Sequence, residues 1–135
     1  MGEWVQAGAT GHRAYLAVPE GGTGPGVLVL HAWWGLTPDF SGVCDRLAAA
    51  GFVALAPELY AGGATATTIA EAEALRDAHD AAAAEVEAVI QAAVEQLRGL
   101  PAVSGERIGV IGFSLGAYWA LLLSQAQPDD VAAVP

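Results

Sequence analysis

The run Arg107-Ile108-Gly109-Val110-Ile111-Gly112-Phe113-Ser114-Leu115-Gly116-Ala117 constrains this chain more than any other: a short apolar segment, then Gly-x-Ser-x-Gly, then an apolar helical pattern. It predicts a strand, a sharp turn and a helix. A serine on so tight a turn has a strained backbone with room beside it only for residues lacking a Cβ, and its Oγ stands clear of the sheet. Gly112 and Gly116 supply that room, which makes Ser114 the candidate nucleophile. The turn ends at a helix N-terminus, where free N–H groups and the positive end of the dipole face a developing oxyanion, and Leu115 gives one such N–H. A nucleotide-binding turn is the alternative for any Gly-rich strand-to-helix junction. The glycines here do not have the Gly-x-Gly-x-x-Gly spacing.

With 17 glycines and only four serines in the chain, the motif alone is suggestive, so the rest of the sequence has to support it. At 135 residues and 54% hydrophobic content, the whole chain is expected to form a single domain, 1–135, with enough material for a core. Its net charge of -10, with five Arg and no Lys, repels phosphate backbones and anionic lipid. Nucleic-acid and membrane partners are therefore not expected. No basic segment precedes an apolar one at the N-terminus, and no apolar stretch reaches the ~20 residues of a membrane span, so a cytoplasmic location is expected. Cys44 is single, cannot form an internal disulfide, and reads as a small buried hydrophobe.

From the start, Glu3–Gln6 and Arg13–Val18 read as an antiparallel hairpin, with Gly8 and Gly11 between them. The stretch from Pro19 to Gly26 holds four glycines and two prolines and reads as a loop crossing an edge of the sheet. Val27–Leu30 is apolar without alternation, as in a parallel strand covered on both faces, and it runs into His31-Ala32-Trp33-Trp34-Gly35. Thr37 and Pro38 open a helix whose inner face carries Phe40, Val43, Leu47 and Ala48. A second buried strand, Phe52–Ala56, leads to the loop Glu58–Gly63, and loops at the carboxyl ends of parallel strands line the ligand crevice.

Thr68 and Glu71 form a capping box for an Ala-rich helix running, with one break, to Arg98. Val86, Val89, Ile90, Ala93, Val94 and Leu97 are its buried stripe, and its many acids are a solvated face, so no metal or organic cofactor is implied. The nucleophile's helix continues to Gln125, and Val131–Val134 begins another strand. Strands alternating with helices predict an α/β class, a doubly wound and mostly parallel sheet.

At the level of whole blocks the sequence resembles the dienelactone hydrolase family of α/β-hydrolases, from about Gly26 onward. PGVLVLHAWWGLTPDFSGVCDRLAAAGFVALAPELYAG (Pro25 to Gly62), EVEAVIQAAVEQL (Glu85 to Leu97) and RIGVIGFSLGAYWALLL (Arg107 to Leu123) carry the resemblance. It implies Ser114 as nucleophile, Trp33 N–H with Leu115 N–H as oxyanion hole, and Tyr60 near the substrate entrance. Founding members carry a cysteine nucleophile and a glutamate where this chain has Ser114 and Ala32. The loop after Tyr60 holds no Arg before Arg76 to clamp a substrate carboxylate. Trp33 and Trp34 read either as a flat apolar wall for the substrate or as packing against the first helix.

In this fold the acid and the histidine follow the nucleophile in the chain. After Ser114 no histidine remains, and His12, His31 and His79 all precede it. His31 is the one expected at the mouth of the crevice, among the substrate-contacting residues with Trp34 and Tyr60, with the shaping of the oxyanion loop favoured over a general-base role. The acid and histidine are expected beyond residue 135, the chain being read as truncated after the strand that follows the nucleophile's helix. The expectation is thus a serine hydrolase of small esters, lactones or thioesters. The alternatives are a non-catalytic α/β module that binds a small molecule or pairs through its exposed sheet edge, and a lipase-like or peptidase-like hydrolase on the same fold.

Overall fold

Six strands pair into one mixed sheet in a computed structural model that describes residues 2–134. In chain order the elements are β1 (Glu3–Gln6), β2 (Arg13–Ala17), β3 (Gly24–Leu30), α1 (Pro38–Ala49), β4 (Val53–Pro57), α2 (Ile69–Ala81), α3 (Ala83–Gly99), β5 (Val103–Gly112), α4 (Leu115–Ala126) and β6 (Val131–Val134). The spatial order is β1-β2-β4-β3-β5-β6. The hairpin and the β2–β4 pair are antiparallel, and the pairs β3–β4, β3–β5 and β5–β6 are parallel.

This order locates the crevice. From β3 the chain turns to β4 on one side, whereas β5 continues to β6 on the other, so the winding reverses between β3 and β5. Loops at the carboxyl ends of two such strands diverge and leave a cleft. The register pairs Leu30 with Gly112, so the segment after His31 and the Ser114 turn leave the sheet side by side.

Alternation within the central strands divides the core. Leu28 and Leu30 face α3 and α4 together with Leu55, Val110, Val89 and Leu97, whereas Val27 and Val29 face α1 with Ala54, Ala56 and Cys44. The expected stripe on α3 is buried throughout. No helix among the described residues is long and apolar enough to cross a membrane, and none of their His, Cys, Asp and Glu side chains gather in threes to hold a metal ion.

Three local expectations are corrected. β3 begins at Gly24, inside the stretch read as a loop, because Gly24 and Pro25 pair with Val103 and Ser104 across a bulge before Val27. The β2–β3 connection spans the place that β4 later fills instead of crossing an outer edge. Thr37 occupies the N-cap of α1 but makes no side-chain cap bond, and Pro38 in the first turn serves instead. At α2 the capping box forms: the Thr68 hydroxyl accepts from the Glu71 N–H at 3.2 Å, and Glu71 Oε1 accepts from both the Thr67 and Thr68 hydroxyls. Those two hydroxyls, with the Thr67 N–H at 3.3 Å, hold the Glu71 carboxyl below its ordinary range.

Candidate active site

Ser114 stands at φ 56° and ψ -107°, the only non-glycine residue at positive φ among those described. A side chain held there carries real strain, about 1–3 kcal/mol, and such strain persists only where the surroundings enforce it. The surroundings are explicit. A Cβ on Gly112 would overlap the Gly116 carbonyl, and one on Gly116 would overlap the Leu30 carbonyl and lie 2.7 Å from His31 O. Both glycines of the motif are therefore required by backbone contact, and the elbow is wedged against the end of β3. Ser114 itself is exposed.

Two N–H groups, one at the elbow and one in the loop that leaves β3 beside it, lack a backbone partner among the described residues. Leu115 is the first residue of α4, so its N–H has no intrahelical acceptor. Trp33 N–H has no backbone acceptor among the described residues, although its neighbours are tied down: Ala32 O accepts from Gly35 N–H at 3.1 Å, and Trp34 O accepts from Ala66 N–H at 2.9 Å. A Cβ on Gly35, at φ +89°, would press on Ala64 O, which keeps the turn tight.

His31 and Tyr60, expected among the substrate-contacting residues, are both buried. His31 is fully buried, its Nδ1–H donating to Ala32 O at 2.7 Å and its Nε2 accepting from Leu59 N–H at 2.9 Å. Burial pulls its pKa down to about 4, so the ring is neutral and both nitrogens are occupied. It cannot serve as a base for Ser114. Tyr60 is 3% exposed, and its hydroxyl donates to Trp33 O at 2.8 Å. Both residues hold the 31–35 loop. Trp34 is half-buried with its ring edge-on to Trp33, 5.7 Å between centroids.

A groove of about 420 Å³ opens beside Leu115, between α2 and the start of α4. Its walls include Ala83, Tyr118 and Trp119, with Arg76 and Asp80 as its charged side chains. Three features here were missed in the sequence. Arg76 reaches back to the loop, its guanidinium carbon 5.7 Å from the Trp33 ring centroid. His79, also buried, accepts from Trp119 Nε1–H at 2.9 Å and donates from Nδ1 to Asp80, tying α2 to α4. Its helical spacing from Ala72 and Leu75 was the available signal. Glu58, 4% exposed, receives a bidentate pair from Arg13 at 3.0 Å, and its backbone carbonyl accepts from His12 Nδ1. Cys44 is inert where it lies, its thiol pushed up to about 12 by burial.

The family model described as the dienelactone hydrolase family matches residues 12–135. The chain belongs to the dienelactone hydrolase family. Protein usf of Aquifex pyrophilus is 35% identical over all of this chain and 61% of its own length. A candidate carboxymethylenebutenolidase of Aquifex aeolicus is 33% identical over 98% of this chain and 59% of its own length. Among solved structures, the protein named m3DLH superimposes with a TM-score of 0.80 at 27% identity, covering 98% of this chain and 55% of that one. A dienelactone hydrolase-like promiscuous phosphotriesterase, P91 from metagenomic libraries, gives 0.79 at 25% identity, with 99% and 57% covered. The chain thus spans about three-fifths of the length of these two relatives.

Within the family's architecture, the α/β sheet and the strand-turn-helix at Ser114 are as the sequence predicts. Ala32, after His31, is buried. Arg76 reaches the Trp33 ring of the 31–35 loop from α2, not from the loop after Tyr60.

Proposed function

We propose that this protein is a serine hydrolase of small carboxylic esters, lactones or thioesters, acting through an acyl-enzyme on Ser114. Ser114 Oγ attacks the substrate carbonyl carbon, the carbonyl electron pair moves onto oxygen, and Trp33 N–H with Leu115 N–H holds that oxyanion. The base that takes the Ser114 proton on attack returns it to the departing alkoxide or thiolate as the tetrahedral species collapses, and water, deprotonated by the same base, then releases the acid. The observation that carries this reading is the exposed serine at φ 56°, wedged between two glycines whose missing Cβ atoms make the turn possible, at the start of a helix. A strained and accessible serine at such a place favours a nucleophile over a structural turn.

The base must lie elsewhere. His12 bonds the Glu58 carbonyl, His31 has both nitrogens occupied, and His79 is shared between Trp119 and Asp80. The proposal therefore includes a histidine and an acid outside these 135 residues, which the greater length of the relatives supports. The groove beside Leu115, with Tyr118 and Trp119 on its wall, supports a small, largely apolar acyl or leaving group.

Labelling with a fluorophosphonate probe tests the reading, and the neighbour named as a promiscuous phosphotriesterase supports a phosphorus electrophile as a suitable choice. In this chain the adduct is expected to map to Ser114, to form slowly, and to form faster when imidazole is added as an external base. In a polypeptide extended to the relatives' length it is expected to form without imidazole. A folded protein in which no Ser114 adduct forms under any of these conditions makes the elbow a structural turn and favours the non-catalytic module.

A further inference from the structure

We propose that His31 is a positioning residue that aims the Trp33 N–H by gripping the carbonyl at the other edge of the same peptide unit. The proposal rests on the reading that Trp33 N–H is an oxyanion donor, and it says what makes that donor point one way.

The Ala32–Trp33 peptide is trans and planar, so the Ala32 C=O and the Trp33 N–H lie on opposite edges of one rigid plate. Fixing the carbonyl fixes the N–H. Ala32 O receives two donors from different directions, His31 Nδ1–H at 2.7 Å and Gly35 N–H at 3.1 Å. The next plate is also held, because Trp33 O accepts from Tyr60 O–H at 2.8 Å. Both plates that meet at the Trp33 Cα are therefore pinned, and the donor between them cannot swing to another acceptor without breaking one of these bonds. A donor fixed before the reaction avoids reorganisation when charge develops, which is where oxyanion holes gain their effect.

The histidine is suited to this by its neighbours. A carbonyl only accepts and a backbone N–H only donates, so Ala32 O requires a proton on Nδ1 and Leu59 N–H requires a bare Nε2. Both demands select the same neutral tautomer. Tyr60 and Phe40 pack on the ring at 5.2 and 6.4 Å between centroids, which fixes its plane. Through Leu59 the same ring fastens the oxyanion loop to the chain leaving β4, 28 residues away. The His31 carbonyl itself faces the space a Gly116 Cβ would fill, so the loop also abuts the elbow.

Two substitutions separate the two ends of the ring. His31→Asn places an amide N–H where Nδ1 stands and keeps the grip on Ala32 O, whereas His31→Gln places an acceptor where Nε2 stands and keeps only the bond from Leu59. The expected results on the 135-residue chain are a Trp33 amide resonance near its wild-type position in His31→Asn and clearly displaced in His31→Gln. Where Ser114 is phosphonylated, the maximal rate is expected to fall about tenfold to a hundredfold in His31→Gln, with the half-saturating probe concentration unchanged, and less than about threefold in His31→Asn. A role in stability alone would lower the melting temperature of both variants and leave the Trp33 amide and the rate alike in the two. That outcome overturns the proposal.

Nitrogen spectra of the wild-type ring decide the matter even if both variants fail to fold. The Nδ1–H tautomer is expected, and the Nε2–H tautomer contradicts the proposal. An absence of labelling in every variant counts against the hydrolase reading, while the tautomer and the Trp33 amide still decide whether His31 grips the plate.

Discussion

Gly116→Ala is the substitution whose cost follows most directly from the structure. The added methyl would overlap the Leu30 carbonyl, and His31 O, at 2.7 Å, would have to retreat to the 3.4 Å at which ordinary contact begins. Nothing in its way is a flexible side chain. The obstructing atoms are backbone at the end of the central strand, held in register by β4 and β5. Overpacking of this kind costs about 1–3 kcal/mol, and the stiff surroundings place it toward the upper end. The higher helix propensity of alanine returns at most ~1 kcal/mol. For a chain of this length, a net loss of about 2–3 kcal/mol lowers the melting temperature by roughly 6–12 °C.

Gly99→Ala supplies the control. It sits at the end of α3 with nothing within 4 Å of its would-be Cβ and is expected to raise the melting temperature by about 1–4 °C. Thermal unfolding followed by circular dichroism reads both. A Gly116→Ala protein melting within 2 °C or so of the wild type would mean that α4 is not wedged on β3, and the account of the elbow would fail with it.

Ser114→Gly removes the positive-φ strain and is expected to stabilise by about 1 kcal/mol, whereas Ser114→Ala retains the strain and is expected to match the wild type; denaturant unfolding compares them. Tyr60→Phe deletes the bond to Trp33 O, with an expected loss of about 1 kcal/mol in the same assay and a several-fold slower phosphonylation of Ser114. For pH, His31 titrates near 6.5 in the unfolded chain and near 4 when folded, so its contribution is complete above pH 6.5 and falls away as the pH drops to 4, by about 3 kcal/mol. The ionisable rings that bear on it are Tyr60 and His79. The difference in unfolding free energy between wild type and His31→Asn is expected to shrink by that amount between those pH values; a constant difference would mean that His31 is not held neutral.

The elements with a single strong period were legible in the sequence. The α3 stripe from Val86 to Leu97 declared its helix and its buried face, and the strands read at Val27–Leu30 and Phe52–Ala56 declared themselves as unbroken apolar runs. The elbow was legible because its glycines answer to a local steric demand. The early part of β5 was not, since Ser104 to Arg107 are exposed and carry no apolar pattern, and its first residues are strand through the pairing of Val103 and Ser104 with Gly24 and Pro25 of β3.

Partners far apart in the chain were also illegible. Nothing near His31 announces that Leu59 will donate to it, nothing near Glu58 that Arg13 will pair with it, and Arg76 meets Trp33 only because α2 folds back over the crevice. These contacts depend on which strand lies beside which, and that order is set by the whole sheet. Local pattern therefore identified the candidate nucleophile's turn and favoured a loop-shaping His31, and topology was needed to show which bonds His31 and Tyr60 make to that loop.

The central claim is that Ser114 is a nucleophile facing two prepared N–H donors. A crystal structure of the chain after phosphonylation, driven by imidazole where necessary, tests both halves at once. The account predicts a phosphorus–Oγ bond on Ser114 with the phosphonyl oxygen about 2.7–3.1 Å from both Trp33 N and Leu115 N. An adduct on another residue, or one on Ser114 whose oxygen turns to solvent and away from both amides, would contradict it.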